Sequence, residues 1–384
     1  MNRNIIKKID YIAIDIVLSP PPLVKYLKLS KAPMSLKAPM SLKAPSTTSV
    51  ASASPCIPAS PCIPASLAEL YKEFATPDIP EQCDGIEFGC SEDIKNHLKT
   101  YGYCIVRNVI SVEEVEHATS LMKSWQDSIP DLAEMHAKVD PHWIYKYHSA
   151  GHAPHAWYLR TRPNIRTLFG DVWNVRDAMN DLVVGFDGSA FVPKESKHKD
   201  NIWTHSDQAP KHKGLTCYQG LAALTSNSER TLVVYERSHL LHSRYFDGLG
   251  RGKSTSAFQR ALPSHLLDKD VVPHKRVLNV PAGSVVLWDS RMLHQNQNGA
   301  PESEERRVQY ICYLPKNNPR NTPAMQKKRR KYLNERRTTS HWPYPIKVNG
   351  MQPQTYGDSS RLIDLDSVPR TDLTPWQDEI EKMI

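Results

Sequence analysis

The stretch Val280-Pro-Ala-Gly-Ser-Val-Val-Leu-Trp-Asp-Ser-Arg-Met-Leu-His294 decides how this chain reads. Proline and glycine at 281 and 283 mark a turn, because one presets its backbone and the other accepts left-handed conformations. Val285 to Asp289 then runs through β-branched and aromatic residues, as a buried strand does. Ser290-Arg-Met-Leu leads to His294. After a polar loop, Arg306-Arg307 opens a further strand, VQYICYLP, twelve residues past that histidine.

Outward from this stretch, similar short runs occur at 182–186, 215–224, 231–235, 276–280 and 307–314, separated by Gly, Pro and Asn. Many short strands with turn signals between them predict a β-sandwich or barrel. Helical segments precede them. Ser91 caps a helix with Asp93 early in it, ending at Tyr101-Gly102, and Tyr103 to Val106 forms a short strand. Ser111 and Glu114 make a capping-box start. The helix that follows, Val112 to about Trp125, repeats apolar residues at Val112, Val115, Ala118, Leu121, Met122 and Trp125. The class is therefore α+β with an all-β core.

A strand places residues i and i+2 on one side, so His-x-Asp can present an imidazole and a carboxylate together. With 16 histidines and 23 aspartates in 384 residues, about one such triplet arises by chance. There are two. His198-Lys199-Asp200 sits in the polar run KESKHKD, which reads as a solvated loop. His205-Ser206-Asp207 follows an apolar-aromatic approach, Ile202-Trp203, and leads toward the strand at Leu215. With a distant third ligand, the second triplet can form the two-histidine, one-carboxylate site that leaves one face of an Fe(II) ion open. An arginine on the strand beyond that ligand can grip a distal carboxylate with two hydrogen bonds.

These blocks together resemble the phytanoyl-CoA dioxygenase-like branch of the Fe(II)/2-oxoglutarate-dependent oxygenases, from about Ser91 to Pro345. The matching segments are YGYCIVRNVISVEEV, WTHSDQAP, CYQGLAALT with TLVVYERSH, PAGSVVLWDSRMLHQN and RRVQYICYLP. The resemblance implies a double-stranded β-helix, jelly-roll and cupin-like, flanked by N-terminal helices. It implies His205, Asp207 and His294 as iron ligands and Arg306 as the anchor of 2-oxoglutarate, with Asn296 a polar helper and Gln219 an inward strand residue lining the cosubstrate pocket. Arg306 is preferred to Arg307 because the family's arginine precedes by seven residues the aromatic matching Tyr313. A one-residue slip would turn the other arginine inward. The sequence departs from the family between 226 and 239, where a glycine-bearing turn and Pro-Gly-Ser-His become Ser226-Asn-Ser-Glu-Arg230 and Glu236-Arg-Ser-His239.

The implied activity uses Fe(II), 2-oxoglutarate and O2 to hydroxylate an unidentified small organic molecule, releasing succinate and CO2. Two rivals are kept. A catalytically altered relative would hold metal without turnover as a binding or structural protein. A nucleic-acid-modifying oxygenase would use the basic run 327–337, although a helix with a solvated basic face accounts for that run equally simply.

Composition limits the setting. The chain is 40% hydrophobic and 23% charged, with a net charge of +8 and 30 prolines. KAPMSL recurs at 31–36 and 37–42, and ASPCIP at 53–58 and 59–64. Prolines at that density forbid continuous helix and interior strand. Residues 1–66 therefore read as a disordered leader, 67–345 as the oxygenase domain and 346–384 as a C-terminal extension. Seven cysteines without a CxxC pair imply free thiols rather than a disulfide framework or zinc site. No apolar run approaches a membrane span, and the short Tyr11–Leu18 stretch, interrupted by Asp15, lacks the form of a signal peptide. The expected setting is intracellular, in the cytoplasm; the sequence leaves the oligomeric state open. His239 and His242 read as structural, His152 and His155 as surface or pocket lining, and Trp203 and Trp288 as core.

Overall fold

A computed structural model describes residues 66–74, 85–197 and 199–384. The expected leader lies outside the described residues except for Ser66, which caps the helix Leu67–Tyr71 by accepting from the Glu69 amide.

Among the described residues, fourteen strands carry the fold: β1 (Ile86–Glu87), β2 (Tyr103–Arg107), β3 (Ile144–Tyr145), β4 (Leu182–Val184), β5 (Ser189–Val192), β6 (His205–Ser206) and β7 (Tyr218–Ala223), followed by β8 (Leu232–Tyr235), β9 (Gln259–Arg260), β10 (Lys275–Val277), β11 (Val285–Asp289), β12 (His294–Asn296), β13 (Arg306–Ile311) and β14 (Tyr313–Pro315). The larger sheet has the order β1-β2-β11-β7-β13-β5-β3, the smaller β10-β8-β12-β6-β9, and β14 pairs separately with β4.

Alternation along the strands shows what each face does. Ile105, Leu221, Ala223, Val286, Trp288, Val308 and Tyr310 from the large sheet share one buried cluster with Leu232 and Val234 from the small one. Their neighbours Cys104, Ala222, Val285, Leu287 and Ile311 belong to a second cluster containing Ala118, Met122, Leu159 and Phe169 from the helices. Two sheets thus enclose one interior while helices cover the back of the large sheet. This is the expected α+β class, with a double-stranded β-helix type of core and flanking helices.

The stretch around β11 forms as its residues direct. Gly283 turns with φ +83°, and a Cβ there would lie 2.7 Å from the Ile110 carbonyl, which only glycine avoids. β11 then enters the centre of the large sheet, paired with β2 and β7. Gly102 ends the helix Ser91–Tyr101 in the left-handed region, where a Cβ would meet His239. The helix Val112–Asp127 has the expected capping box, with Ser111 and Glu114 satisfying each other's amides. It buries Ala118, Met122 and Trp125, whereas Val112 is 70% exposed because the first turn projects beyond the packed face.

The C-terminal segment folds back onto the domain. Leu373, Ile380 and Met383 join the helix-side core, and Arg330 pairs with Glu381. No helix among the described residues is long and apolar enough to cross a membrane. Among the same residues, Cys90 is exposed, and Cys104, Cys217 and Cys312 are buried.

Candidate metal centre

β6 and β12 are antiparallel neighbours, and His205 and His294 occupy directly opposed positions. Cross-strand partners on one face carry their side chains within a few ångströms of each other. Asp207 lies two residues beyond His205 and turns to the same side; its amide donates to the Ser290 carbonyl at 3.0 Å. His205 Nε2 stands 3.6 Å from Asp207 Oδ1 and His294 Nε2 3.4 Å from Asp207 Oδ2. One ligand atom from each residue lies within 4.8 Å of the other two, and all three residues are buried. It is a two-histidine, one-carboxylate facial triad.

The donor atoms of the triad fit an ion. Nδ1 of His205 faces the Trp203 carbonyl at 3.2 Å, and Nδ1 of His294 faces the Met292 carbonyl at 3.0 Å. A carbonyl can only accept, so each Nδ1 carries the proton and each Nε2 lone pair points to the shared centre. The Nε2–carboxylate separations of 3.6 and 3.4 Å, with one atom of each residue within 4.8 Å of the other two, allow all three to reach a single ion. Burial pulls the His205 imidazole below its ordinary range. Burial opposes ionisation of Asp207, but His205 and His341 hold its carboxyl well below the usual carboxylate range.

The large sheet supports the triad from across the interior. Gln219 on β7 donates its Nε2 to Asp207 Oδ2 at 3.0 Å, while its buried Oε1 has no partner among the described residues. On β13, Arg306 and Arg307 point to opposite faces. Arg306 is buried and donates to Asn296 Oδ1 at 3.1 Å. Arg307 packs over Phe191 at 4.2 Å and bonds to Glu305 and Gln126 on the helix side. Arg306 forms no ion pair among the described residues. Asn296 Nδ2 in turn donates to the Tyr310 hydroxyl at 2.8 Å, and its backbone carbonyl accepts from Trp203 Nε1 at 3.1 Å.

A pocket of about 180 Å³ opens on the triad, walled by Ile144, Trp203, Leu232, Trp288, Asn296 and Tyr310. Asn296 borders it directly, whereas Arg306 and Gln219 stand one layer behind. Of the other triplet, His198 lies outside the described residues, and Asp200 stays apart from the site. Asp200 accepts amides from Asn298 and Gly299 in an exposed loop, at 2.5 and 3.2 Å.

Sequence reasoning passed over His341. Its Nε2 lies 3.4 Å from Asp207 Oδ2, and its Nδ1 contacts the Asp187 carboxylate. Burial works against its charge, but Asp187 and Asp207 hold it well above the ordinary imidazole range. It comes from a coil segment with no periodic signal, so only the fold could bring it here. Trp203 also differs from the expectation of core. Half-buried, it stacks between His142 and His205, at centroid distances of 3.8 and 4.8 Å. Trp288 is core, as expected, and additionally lines the pocket. His152 and His155 are fully buried, bonded to the Arg337 carbonyl and to Ser189 Oγ, rather than surface or pocket groups. His239 and His242 are structural. His242 Nε2 lies 3.1 Å from both Ser206 Oγ and the Gln208 carbonyl, bracing the segment that carries Asp207.

The departure at 226–239 is absorbed locally. Glu304 Oε1 accepts from the amides of Ser228, Glu229 and Arg230 at 2.7 to 3.1 Å, closing the glycine-free turn with a carboxylate. Arg237, standing where the family has glycine, takes the left-handed conformation at φ +64° and lays its guanidinium over Phe74 and Tyr101. Glu236 pairs with Arg276 at 2.9 Å and accepts from the Tyr103 hydroxyl.

Comparison with known proteins gives remote likenesses. No protein-family model matches the chain. Ava biosynthesis cluster protein O of Aspergillus versicolor is 26% identical over 247 residues, covering 58% of this chain and 78% of that protein. Among solved structures, the epimerase SnoN in complex with Fe3+, alpha ketoglutarate and nogalamycin RO is 16% identical, at a TM-score of 0.40 over 58% of this chain and 83% of its own. HygX from Streptomyces hygroscopicus, with nickel and 2-oxoglutarate bound, is 17% identical, at a TM-score of 0.40 over 58% and 86%. The site rests on its own geometry. The triad is the two-histidine, one-carboxylate arrangement that suits a non-haem Fe(II) centre, and it is consistent with Fe(II)/2-oxoglutarate-dependent catalysis on an unspecified substrate.

Proposed function

We propose that this chain is an Fe(II)/2-oxoglutarate-dependent dioxygenase of the phytanoyl-CoA dioxygenase-like branch that hydroxylates a small organic molecule. The observation that carries it is the convergence of two Nε2 atoms, each with Nδ1 tied to a carbonyl, on one buried carboxylate. The five sequence blocks quoted above support the finer placement. We take 67–345 as the catalytic domain, with 346–384 folded onto it and 1–66 as a leader.

His205, Asp207 and His294 would hold Fe(II). Bound Fe(II) and 2-oxoglutarate supply the oxidising chemistry, in which R–H, O2 and 2-oxoglutarate become R–OH, succinate and CO2. Arg306 is a buried guanidinium without a carboxylate partner among the described residues, which supports it as the anchor of the distal carboxylate. Asn296 borders the pocket and touches that guanidinium, so it orients the same end. Gln219 holds Asp207 through Oδ2, acting on the cosubstrate site through the ligand. Ile144, Leu232 and Trp288 supply an apolar part of the wall beside the metal ligands, against which the cosubstrate or substrate can pack.

The test is Fe(II)-dependent conversion of 2-oxoglutarate to succinate by purified protein, abolished in His205→Ala. Iron binding without turnover under any substrate would favour the binding-protein alternative. Part of the basic run is already engaged within the chain, which favours the small-molecule reading over the nucleic-acid alternative. Within the basic run, Arg329 is buried on Asn321 and Pro343, Arg330 pairs with Glu381, and Lys331 lies 3.7 Å from Glu335.

A further inference from the structure

A second cavity adjoins the triad pocket. It encloses about 480 Å³ and meets the smaller pocket at Asp207, Phe258 and His341. A pocket of this size suits a ligand of ordinary metabolite or drug dimensions, well beyond the needs of a five-carbon diacid. Its position leaves the 180 Å³ pocket for the cosubstrate and itself for a second reactant beside the same carboxylate.

Apart from one carboxylate, the charged groups of the lining are cationic. Arg320, Lys347 and His212 border the cavity, and Asp207, committed to the metal, is its sole carboxylate. Neither Arg320 nor Lys347 forms an ion pair or side-chain hydrogen bond among the described residues. Arg244 with Glu73 and Arg330 with Glu381, by contrast, are neutralised in ion pairs. Arg320 is held in place from one side, with its guanidinium 5.7 Å from the Trp342 ring centre, leaving its donors unspent. Trp342, Phe258, Ala209 and Pro345 supply the apolar part of the wall, beside the neutral polar groups of Thr255, Ser256, Ser340 and Asn349. Phe258 is 48% exposed, yet its ring lies 4.4 Å from that of His205. An exposed phenyl group kept against a metal ligand, with nothing packed on its outer face, suits contact with an apolar ligand.

We infer that this outer cavity is the substrate site and that it takes an apolar-bodied organic acid, its body against Phe258 and Trp342 and its anionic group on Arg320 and Lys347. This rests on the oxygenase reading for the identity of the reaction, but not for the binding preference itself. Paired guanidinium and ammonium donors favour an anion over a neutral isostere and disfavour a cation.

The experiment compares three probes of one shape on the full chain loaded anaerobically with Fe(II) and 2-oxoglutarate: 2-naphthoate, 2-naphthamide and 2-naphthylmethylammonium. Calorimetric titration is expected to show the acid binding at least about tenfold tighter than the amide, and the amine weakest. The double variant Arg320→Ala/Lys347→Ala should erase the preference for acid, and Arg320→Lys should keep part of it. Equal binding of acid and amide, tighter binding of the amine, an undiminished preference in the double variant, or no binding by any probe overturns the inference. The metal–cosubstrate absorption band is read on the same samples. Its absence with the acid preference intact overturns the oxygenase reading and leaves the acid-binding cavity standing.

Discussion

His205 and His294 face each other across the antiparallel pair β6 and β12, their ring centroids 4.5 Å apart. The two residues are 89 positions apart in the chain, yet the sheet register makes them neighbours. Any change that preserves both side chains but slips this register by one residue would point one imidazole out of the interior.

Loss of either imidazole should therefore cost the metal itself. His205→Ala and His294→Ala are each expected to weaken Fe(II) binding by at least about a hundredfold and to bring succinate formation to background. Metal content after dialysis, read beside an unchanged melting temperature in chelator, checks this without relying on activity.

His341 should act through Asp207. Alanine at 341 removes the bridge between Asp187 and the ligand carboxylate, and metal affinity is expected to fall by about tenfold. Gln219→Leu, which removes the donor to Oδ2, should behave similarly. Affinity equal to that of the parent protein in both variants would show that the triad orients Asp207 unaided.

The two adjacent arginines should separate cleanly. Arg306→Leu is expected to raise the KM for 2-oxoglutarate by at least about tenfold, with partial rescue in Arg306→Lys. Arg307→Leu should leave that KM unchanged. Instead it should lower stability by about 1 kcal/mol, since it removes the stack on Phe191 and the bond to Gln126. A KM effect confined to Arg307→Leu would place the anchor on the other face.

Acid should destabilise the domain over a defined window. Burial lowers His136 and His242 to about 4 and His155 to about 3, from an ordinary value near 6.5. Between those limits the unfolded chain binds protons that the folded chain refuses. Stability accordingly rises with pH through this window and falls on acidification. Denaturant unfolding at pH 7 and pH 5, in chelator, is expected to differ by several kcal/mol, with a smaller difference in His155→Gln.

Glu304 should matter more than a partly exposed carboxylate ordinarily does. It accepts three backbone amides of the 228–230 turn, so Glu304→Ala is expected to cost about 2–4 kcal/mol. Comparing denaturation midpoints of this variant and Glu302→Ala, a neighbouring acid without those bonds, checks the assignment.

Much of this architecture was legible from residue order. Alternation and turn residues marked β7, β8, β11 and β13, and the Ser111–Glu114 box marked its helix, because these signals act between residues close in sequence. The short strands β6 and β12 carried no periodicity of their own. Two or three residues cannot show a repeat, so the pairing of His205 with His294 stayed an implication of family resemblance until the register was seen.

By itself, the sequence determined the local chemistry: which segments become strands, where glycine must turn the chain, and which triplet leads out of an aromatic approach. The tertiary structure alone decided which distant groups meet. His341 reaches Asp207 from a coil, Arg306 and Arg307 divide between the two faces of β13, and Arg320 and Lys347 come to one cavity wall. The reason is physical. Propensity, capping and alternation act over a few residues, whereas encounters between remote side chains depend on the register and packing of the whole sandwich, which no short window encodes.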